Sequence, residues 1–190
     1  MINRSLQDDL ARSKEGDDQA FARVVNECYP MAYRFAMNVI HEDQEAEDVV
    51  QEAFIRVWKN LDRIDPEKKL TTLLYTIIGN LCIDRLRARK RMLRIASASS
   101  DDVEQVREST MVEDIQSQKE FASIVRQLSH ELPPKQMLVF TLRDIEDLPV
   151  EEVAQISGLS KDGVKANLYY ARTSIRKSLR LRYSIERGSL

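Results

Sequence analysis

The sequence predicts an all-α fold of two small helical domains joined by a flexible linker. Three observations carry that prediction. Apolar residues recur at spacings of three and four along most of the 190 residues. Only 5 glycines and 5 prolines interrupt the chain, too few for sheets joined by tight turns. Residues 93–117 lose the periodicity and turn rich in Ser, Asp and Glu, led by Ala96-Ser97-Ala98-Ser99-Ser100-Asp101-Asp102. That stretch, with a short helical piece expected near 103–108, separates a domain over 1–92 from one over 118–190. With 6% aromatic residues, each core is aliphatic and small, and gains from a partner.

Residues 4–14 predict a short first helix. Asp17 or Asp18 then caps a long one, whose stripe is Phe21, Val24, Val25, Cys28, Ala32, Phe35, Ala36, Val39 and Ile40. Pro30 lies inside it and removes one backbone donor, which predicts a kink near 26–30 rather than an end. His41-Glu42-Asp43 breaks the pattern. A third helix follows over 45–61, with apolar residues at Ala46, Val49, Val50, Ala53, Phe54, Val57, Trp58 and Leu61. Asp43 is its expected cap. Its other face carries Glu45, Asp48 and Glu52, with Glu47 and Gln51 beside them, and Arg56 and Lys59 fall in its second half, as the helix dipole prefers. Periodicity alone makes this a surface helix with a solvated acidic face.

Asp62–Lys69 is polar, contains Pro66 and reads as a loop. From Leu70 the stripe resumes with Leu73, Leu74, Ile77, Ile78, Leu81, Cys82 and Leu86. Thr76, Asn80, Asp84, Arg87 and Arg91 form a polar line on the same helix, which runs into the basic block Arg85, Arg87, Arg89, Lys90, Arg91 and Arg94.

Beyond the linker, Phe121, Ile124, Val125 and Leu128 mark a helix from about Gln118. Leu132-Pro133-Pro134 ends it and starts the next, with proline in the first turn. Val150–Ser157, the turn Gly158-Leu159-Ser160 and a helix from Lys161 to about Arg182 then form a helix-turn-helix. Ala154, Gly158 and Val164 suit its corner: a small residue at the crossing, a glycine for positive φ, and an apolar residue packing into the angle. Ser160 is the expected cap, and Val164, Leu168, Ala171, Ile175 and Leu179 the buried face. That leaves Lys161, Lys165, Ala166, Tyr169, Tyr170 and Arg176 outward or flanking, where a recognition helix meets the major groove. Arg172 sits nearby as a candidate backbone contact.

Charge and composition exclude other classes. The net charge of −2 argues against a general nucleic-acid binder, but it is built from segregated acidic and basic blocks that suit separate partners. Cys28 and Cys82 lie on apolar faces as buried thiols. His41 and His130 are isolated, and the carboxylates of 43–52 project along one rod without converging, so no metal, cofactor or catalytic site is expected. No signal pattern or membrane-length apolar run occurs, and a cytoplasmic protein without membrane insertion is expected.

The stretch Ala46-Glu47-Asp48-Val49-Val50-Gln51-Glu52-Ala53-Phe54-Ile55-Arg56-Val57-Trp58 resembles the core-binding helix of bacterial extracytoplasmic-function (ECF) sigma factors of the sigma-70 family. Leu132-Pro133-Pro134-Lys135-Gln136, Leu142 to Leu148, Val150 to Ala154, Gly158-Leu159-Ser160 and Val164-Lys165 resemble the DNA-binding domain of the same group, in the group's order. The resemblance implies a transcription initiation factor, not an enzyme. Its region 2 domain would bind the β′ clamp helices of core RNA polymerase through Glu45, Asp48, Gln51 and Glu52. The minus-ten promoter element would meet Arg63, Lys68, Lys69, Asn80, Asp84 and Arg87, the 62–69 loop capturing a flipped base. The minus-thirty-five element would meet Arg143, Lys161, Lys165, Ala166, Tyr169, Tyr170, Arg172 and Arg176 of region 4. An anti-sigma factor is a further expected partner. Leu70 and Leu73 depart from the group, where aromatics are common, and so do Asn167 and Tyr170, where arginines are usual.

A stand-alone helix-turn-helix repressor and a sigma-like decoy for an anti-sigma factor are the competing readings. The basic block and basic recognition helix speak against the decoy. The roughly 25 linker residues reach about 80–90 Å when extended and about 25–30 Å as a coil. Promoter elements two turns apart lie about 70 Å from each other, so free protein is expected to be more compact than promoter-bound protein.

Overall fold

The computed structural model describes residues 4–65, 69–98 and 118–183. Among them every regular element is helical. The N-terminal bundle holds α1 (Arg4–Lys14), α2 (Asp18–Ile40), α3 (Asp43–Lys59), a 3₁₀ turn (Leu61–Arg63) and α4 (Leu70–Ala98). The C-terminal bundle holds α5 (Gln118–Ser129), α6 (Pro134–Phe140), a π-helical turn (Thr141–Ile145), α7 (Val150–Ser157) and α8 (Lys161–Tyr183).

Asp17 starts α2 by accepting from the Ala20 N–H at 2.9 Å. The helix runs unbroken through Pro30 and ends where His41 turns left-handed, with φ of 60° and its N–H on the Met37 carbonyl. Asp43 does not cap α3. Glu42 does, its carboxylate accepting from the Gln44 and Glu45 N–H groups, while Asp43 is already helical and accepts from the Tyr33 hydroxyl. Glu42 has the extended backbone a cap needs, and its longer side chain reaches back to both amides. α1 is tied on by Asp9, which accepts two bonds from Arg23 of α2.

α4 continues to Ala98, six residues into the stretch read as linker from 93. The expected helical piece near 103–108 lies outside the described residues. The Phe35 ring meets Tyr75 of α4 edge-on at 4.8 Å, and Val39, Val49, Val50, Leu74 and Ile78 are fully buried around it.

In the C-terminal bundle Pro134 opens α6, and Pro149 precedes α7 without supplying a side-chain cap. Gly158 takes φ of 68°, the left-handed geometry that ends α7 and sends the chain into α8. Ser160 Oγ accepts the Gly163 N–H at 3.0 Å. Val164, Leu168, Ala171, Ile175 and Leu179 are all buried, as the spacing predicts.

The two bundles pack together into one apolar core. α6 and α7 lie on α4, and the π turn lies against α2. Leu138 comes within 3.1 Å of where a Cβ on Gly79 would sit, so the glycine allows the close approach.

Candidate polymerase and promoter surfaces

The face of α3 divides in two. Arg85 of α4 lies 3.7 Å from Asp48 and 3.8 Å from Glu52, and Arg89 lies 2.8 Å from Glu45. Glu52 also holds Arg56, one turn on, at 2.6 Å. Three of the four expected polymerase contacts are therefore answered inside the chain by the basic block. They remain partly exposed, so these ion pairs are weak and can be exchanged.

The fourth, Gln51, turns the other way. With Glu47 it borders an apolar groove between α2 and α3, about 480 Å³, floored by Phe21, Val25 and Phe54 and flanked by Ile55 and Trp58. Ile55 is 45% exposed and Trp58 40%, and the Trp58 ring leans on Phe21 at 4.7 Å. The expectation of a purely acidic rod missed this apolar half and the contribution of α2. The signal was Ile55, an apolar residue off the stripe.

On α4, Asn80, Asp84 and Arg87 are exposed in line. Thr76 donates to the Thr72 carbonyl and Asp84 lies 3.8 Å from Arg87, so neither holds the Asn80 amide. Arg63 is exposed in the 3₁₀ turn, while Lys68 lies outside the described residues. Lys69 faces Glu152 of α7 at 3.9 Å. Leu70 is buried, and with Leu73 and Ile77 lines a cavity of about 450 Å³ rimmed by Arg56, Asn60, Arg63, Asp65 and Lys69. Tyr75, the one aromatic left on this stretch, is buried and donates its hydroxyl to Glu146. Burial, then the charge of Glu146, raises its phenol well above the ordinary range and keeps it a donor.

On α8, Lys165, Ala166, Tyr169 and Tyr170 share an exposed face. The tyrosines, 66% and 57% exposed, meet edge-on and offer ring faces and hydroxyls outward. The arginines are more committed. Arg172 grips Asp144 with bonds of 2.8 and 2.7 Å, Arg143 donates to Asp147 at 3.2 Å, and Lys161 holds Glu151 at 2.8 Å. Arg176 stands with Arg172 over an apolar groove between α5, the π turn and α8. Asn167 is turned inward onto the Gly163 carbonyl.

Residues 24–92 match Sigma-70 region 2, and residues 122–175 match Sigma-70, region 4. The ECF RNA polymerase sigma factor SigW of Bacillus subtilis (strain 168) is 34% identical over 90% of this chain and 95% of its own length. The chain belongs to the ECF sigma factors. A second relative, the ECF RNA polymerase sigma-E factor of Escherichia coli (strain K12), is 30% identical over 87% of the chain and 90% of its own. The fold is shared with CnrH, solved in complex with the cytosolic domain of CnrY, at a TM-score of 0.64, covering 93% of this chain and 98% of that one at 22% identity. It is also shared with RpoE of Bartonella quintana, solved in complex with the anti-sigma factor NepR, at a TM-score of 0.62, covering 85% and 97% at 20% identity. In this sigma factor region 2 is thus the N-terminal bundle and region 4 the C-terminal one. No described helix is long and apolar enough to cross a membrane.

Proposed function

We propose that this sigma factor binds core RNA polymerase, directs it to promoters carrying two spaced elements and helps melt the minus-ten element, catalysing nothing itself. The observation that carries the reading is the occurrence of both regions, in order, on one chain that aligns with an ECF sigma factor over nearly its whole length. The α2–α3 groove with Glu47, Gln51, Ile55 and Trp58, together with Asp48 and Glu52 on the adjoining half of α3, receives the clamp helices of β′. An apolar floor beside a charged rim suits an amphipathic partner helix. The line Asn80, Asp84, Arg87, with Arg63 and Lys69 at its foot, takes the minus-ten strand. Lys165, Ala166, Tyr169 and Tyr170 take the major groove of the minus-thirty-five element, with Arg176 toward phosphates and Arg143, Lys161 and Arg172 joining it once their intramolecular partners release them. The protein acts in the cytoplasm, and an anti-sigma factor of complementary surface restrains it.

Reconstituted transcription with core polymerase and a promoter library tests this. Transcripts should depend on the protein and vanish with Asp48→Lys and Glu52→Lys together, while the variant keeps the parent's helical signal. Tight promoter binding with no polymerase dependence would sink the reading in favour of a stand-alone repressor.

A further inference from the structure

The first helix ends on a lysine whose partner stands 50 positions further along the chain, at the entry to the minus-ten surface. α1 precedes the segment 24–92 that matches region 2. Leu6, Leu10 and Ser13 are its buried side, laid against α2, and Asp9 ties it there through Arg23. Gly16, with φ of 92°, ends the helix, and the Asp17 N–H returns to the Arg12 carbonyl at 3.1 Å. That fixed end leaves the half-buried Lys14 beside the 3₁₀ turn, where its Nζ donates to the Ile64 carbonyl. The Ile64 N–H closes on the Leu61 carbonyl at 3.1 Å, and its side chain is buried. Ile64 is thus fixed on three sides: its N–H within the turn, its side chain in the core and its carbonyl by α1. The last of these is a charge-assisted bond, one of the stronger kinds.

Ile64 is also a wall of the cavity of about 450 Å³, and its neighbours Arg63 and Asp65 line the same cavity. Rotating the peptide between 64 and 65 would re-aim Asp65 and open that wall. Leu70, Leu73 and Ile77 form the opposite, apolar side. That side is held by α4 itself, since the Thr72 and Leu73 N–H groups bond the Lys69 carbonyl at 3.1 and 3.3 Å. An apolar slot with polar groups at its mouth suits an unstacked base. Taking a base out of the stack is costly, so a slot formed in advance binds it better than one that must be ordered on contact. We propose that Lys14 is a positioning residue for minus-ten capture: by holding the Ile64 carbonyl it keeps the entry wall of the slot in place for a flipped base. Its ammonium also adds a cation behind a rim that carries Arg63 and Lys69, which favours the strand phosphates. This rests on the proposed assignment of the minus-ten strand to α4 and the turn before it.

The test uses the full chain with core polymerase and a forked promoter whose minus-ten non-template strand is already single-stranded. Each minus-ten nucleotide of that strand is replaced in turn by an abasic one. The parent should lose about tenfold in binding at one position, that of the captured base. Lys14→Met keeps the apolar stem and removes the donor. It should bind the intact fork about fivefold more weakly than the parent, with parental affinity for core polymerase and a parental melting temperature. The abasic position should then cost Lys14→Met no more than about twofold, because the slot is already lost. Lys14→Arg supplies a cationic donor again and should recover most of the loss. Parental binding of the intact fork by Lys14→Met overturns the positioning role. So does an abasic penalty that stays tenfold in Lys14→Met, since the two effects would then be independent. An equal loss of core-polymerase affinity, or no recovery in Lys14→Arg, overturns it as well. A parent indifferent to every abasic replacement overturns base capture itself, and the role of Lys14 with it.

Discussion

Acid should open the docked form, and the histidines set the scale. His41 ends α2 in region 2 and His130 follows α5 in region 4, yet their rings stack across the junction at 3.2 Å and 17°. His41 Nε2 is buried without a hydrogen-bond partner among the described residues. Burial, then His130, then Arg89 push His41 from its ordinary 6.5 down to about 3. The half-exposed His130 moves the same way through burial, against the pull of Glu131. Arg89 is answered by Glu45 at 2.8 Å, but a protonated His41 would still face it and His130.

The sign follows from linkage. A group whose pKa is depressed when docked binds protons preferentially when undocked, so docking is fully stable above about 6.5 and weakens as the pH falls toward 3. Each unit below the free value costs about 1.4 kcal/mol, a factor of ten. Between pH 7.5 and 5.5 the closed-to-open ratio should therefore fall about tenfold from His41 alone. Ordinary carboxylates stay ionised over that window. Distances between spin labels on cysteines introduced at Asn26 and Ser174, exposed and in different bundles, or small-angle scattering, should show the chain lengthening at pH 5.5 and recovering at 7.5. His41→Asn tolerates the left-handed backbone and cannot ionise, so its distances should change less than the parent's across the same range, with His130 alone of the pair left to titrate. A parent with identical distances at both values, or a His41→Asn variant with the parent's pH response, refutes the reasoning.

Gly79→Leu should also undock the bundles, because its Cβ and branch would occupy the place of Leu138. Leucine is a better helix former than glycine, so region 2 should lose no helicity by circular dichroism while the separation widens. Ser160→Ala removes the oxygen that holds the Gly163 N–H and should cost about 1 kcal/mol, read as a lower urea midpoint for region 4. Trp58→Glu should weaken binding to core polymerase at least tenfold in a competition assay, with a small change in melting temperature, since the ring is already 40% exposed.

The parts legible in the sequence are those whose cause is local. Ala154, Gly158, Val164 and Ser160 lie within ten positions, and each constrains its neighbours through a cap, a turn or a crossing. The stripe of α8 came out as spaced because one face of a long helix has one buried side. The misplaced cap of α3 is a one-residue matter: Asp43 and Glu42 are both acidic, and only the backbone angle decides which is outside the helix. The end of α4 went unread because Leu93, Arg94 and Ala96 have good helix propensity but no stripe to continue. The docked arrangement was illegible in its particulars. Arg34 and Glu146 stand 112 positions apart and Tyr75 and Glu146 stand 71 apart, and no period links them. Linker length predicted compactness without naming the face that meets region 4. The same limit explains the half-hidden acidic surface, since whether a carboxylate faces solvent or Arg85 depends on how α4 crosses α3.

The two cysteines carry a last consequence, which concerns reactivity. Cys28 and Cys82 are 3% and 0% exposed, and burial pushes their thiols up to about 11 and about 12. At neutral pH at most about one Cys28 in ten thousand is the nucleophilic thiolate, and fewer of Cys82. The two thiols of the folded protein are therefore nearly inert toward peroxide and alkylating agents. If oxidants govern its release, the sensing sulfur belongs to another molecule. The same silence is useful at the bench: a cysteine introduced on either bundle can be labelled selectively with both native thiols in place.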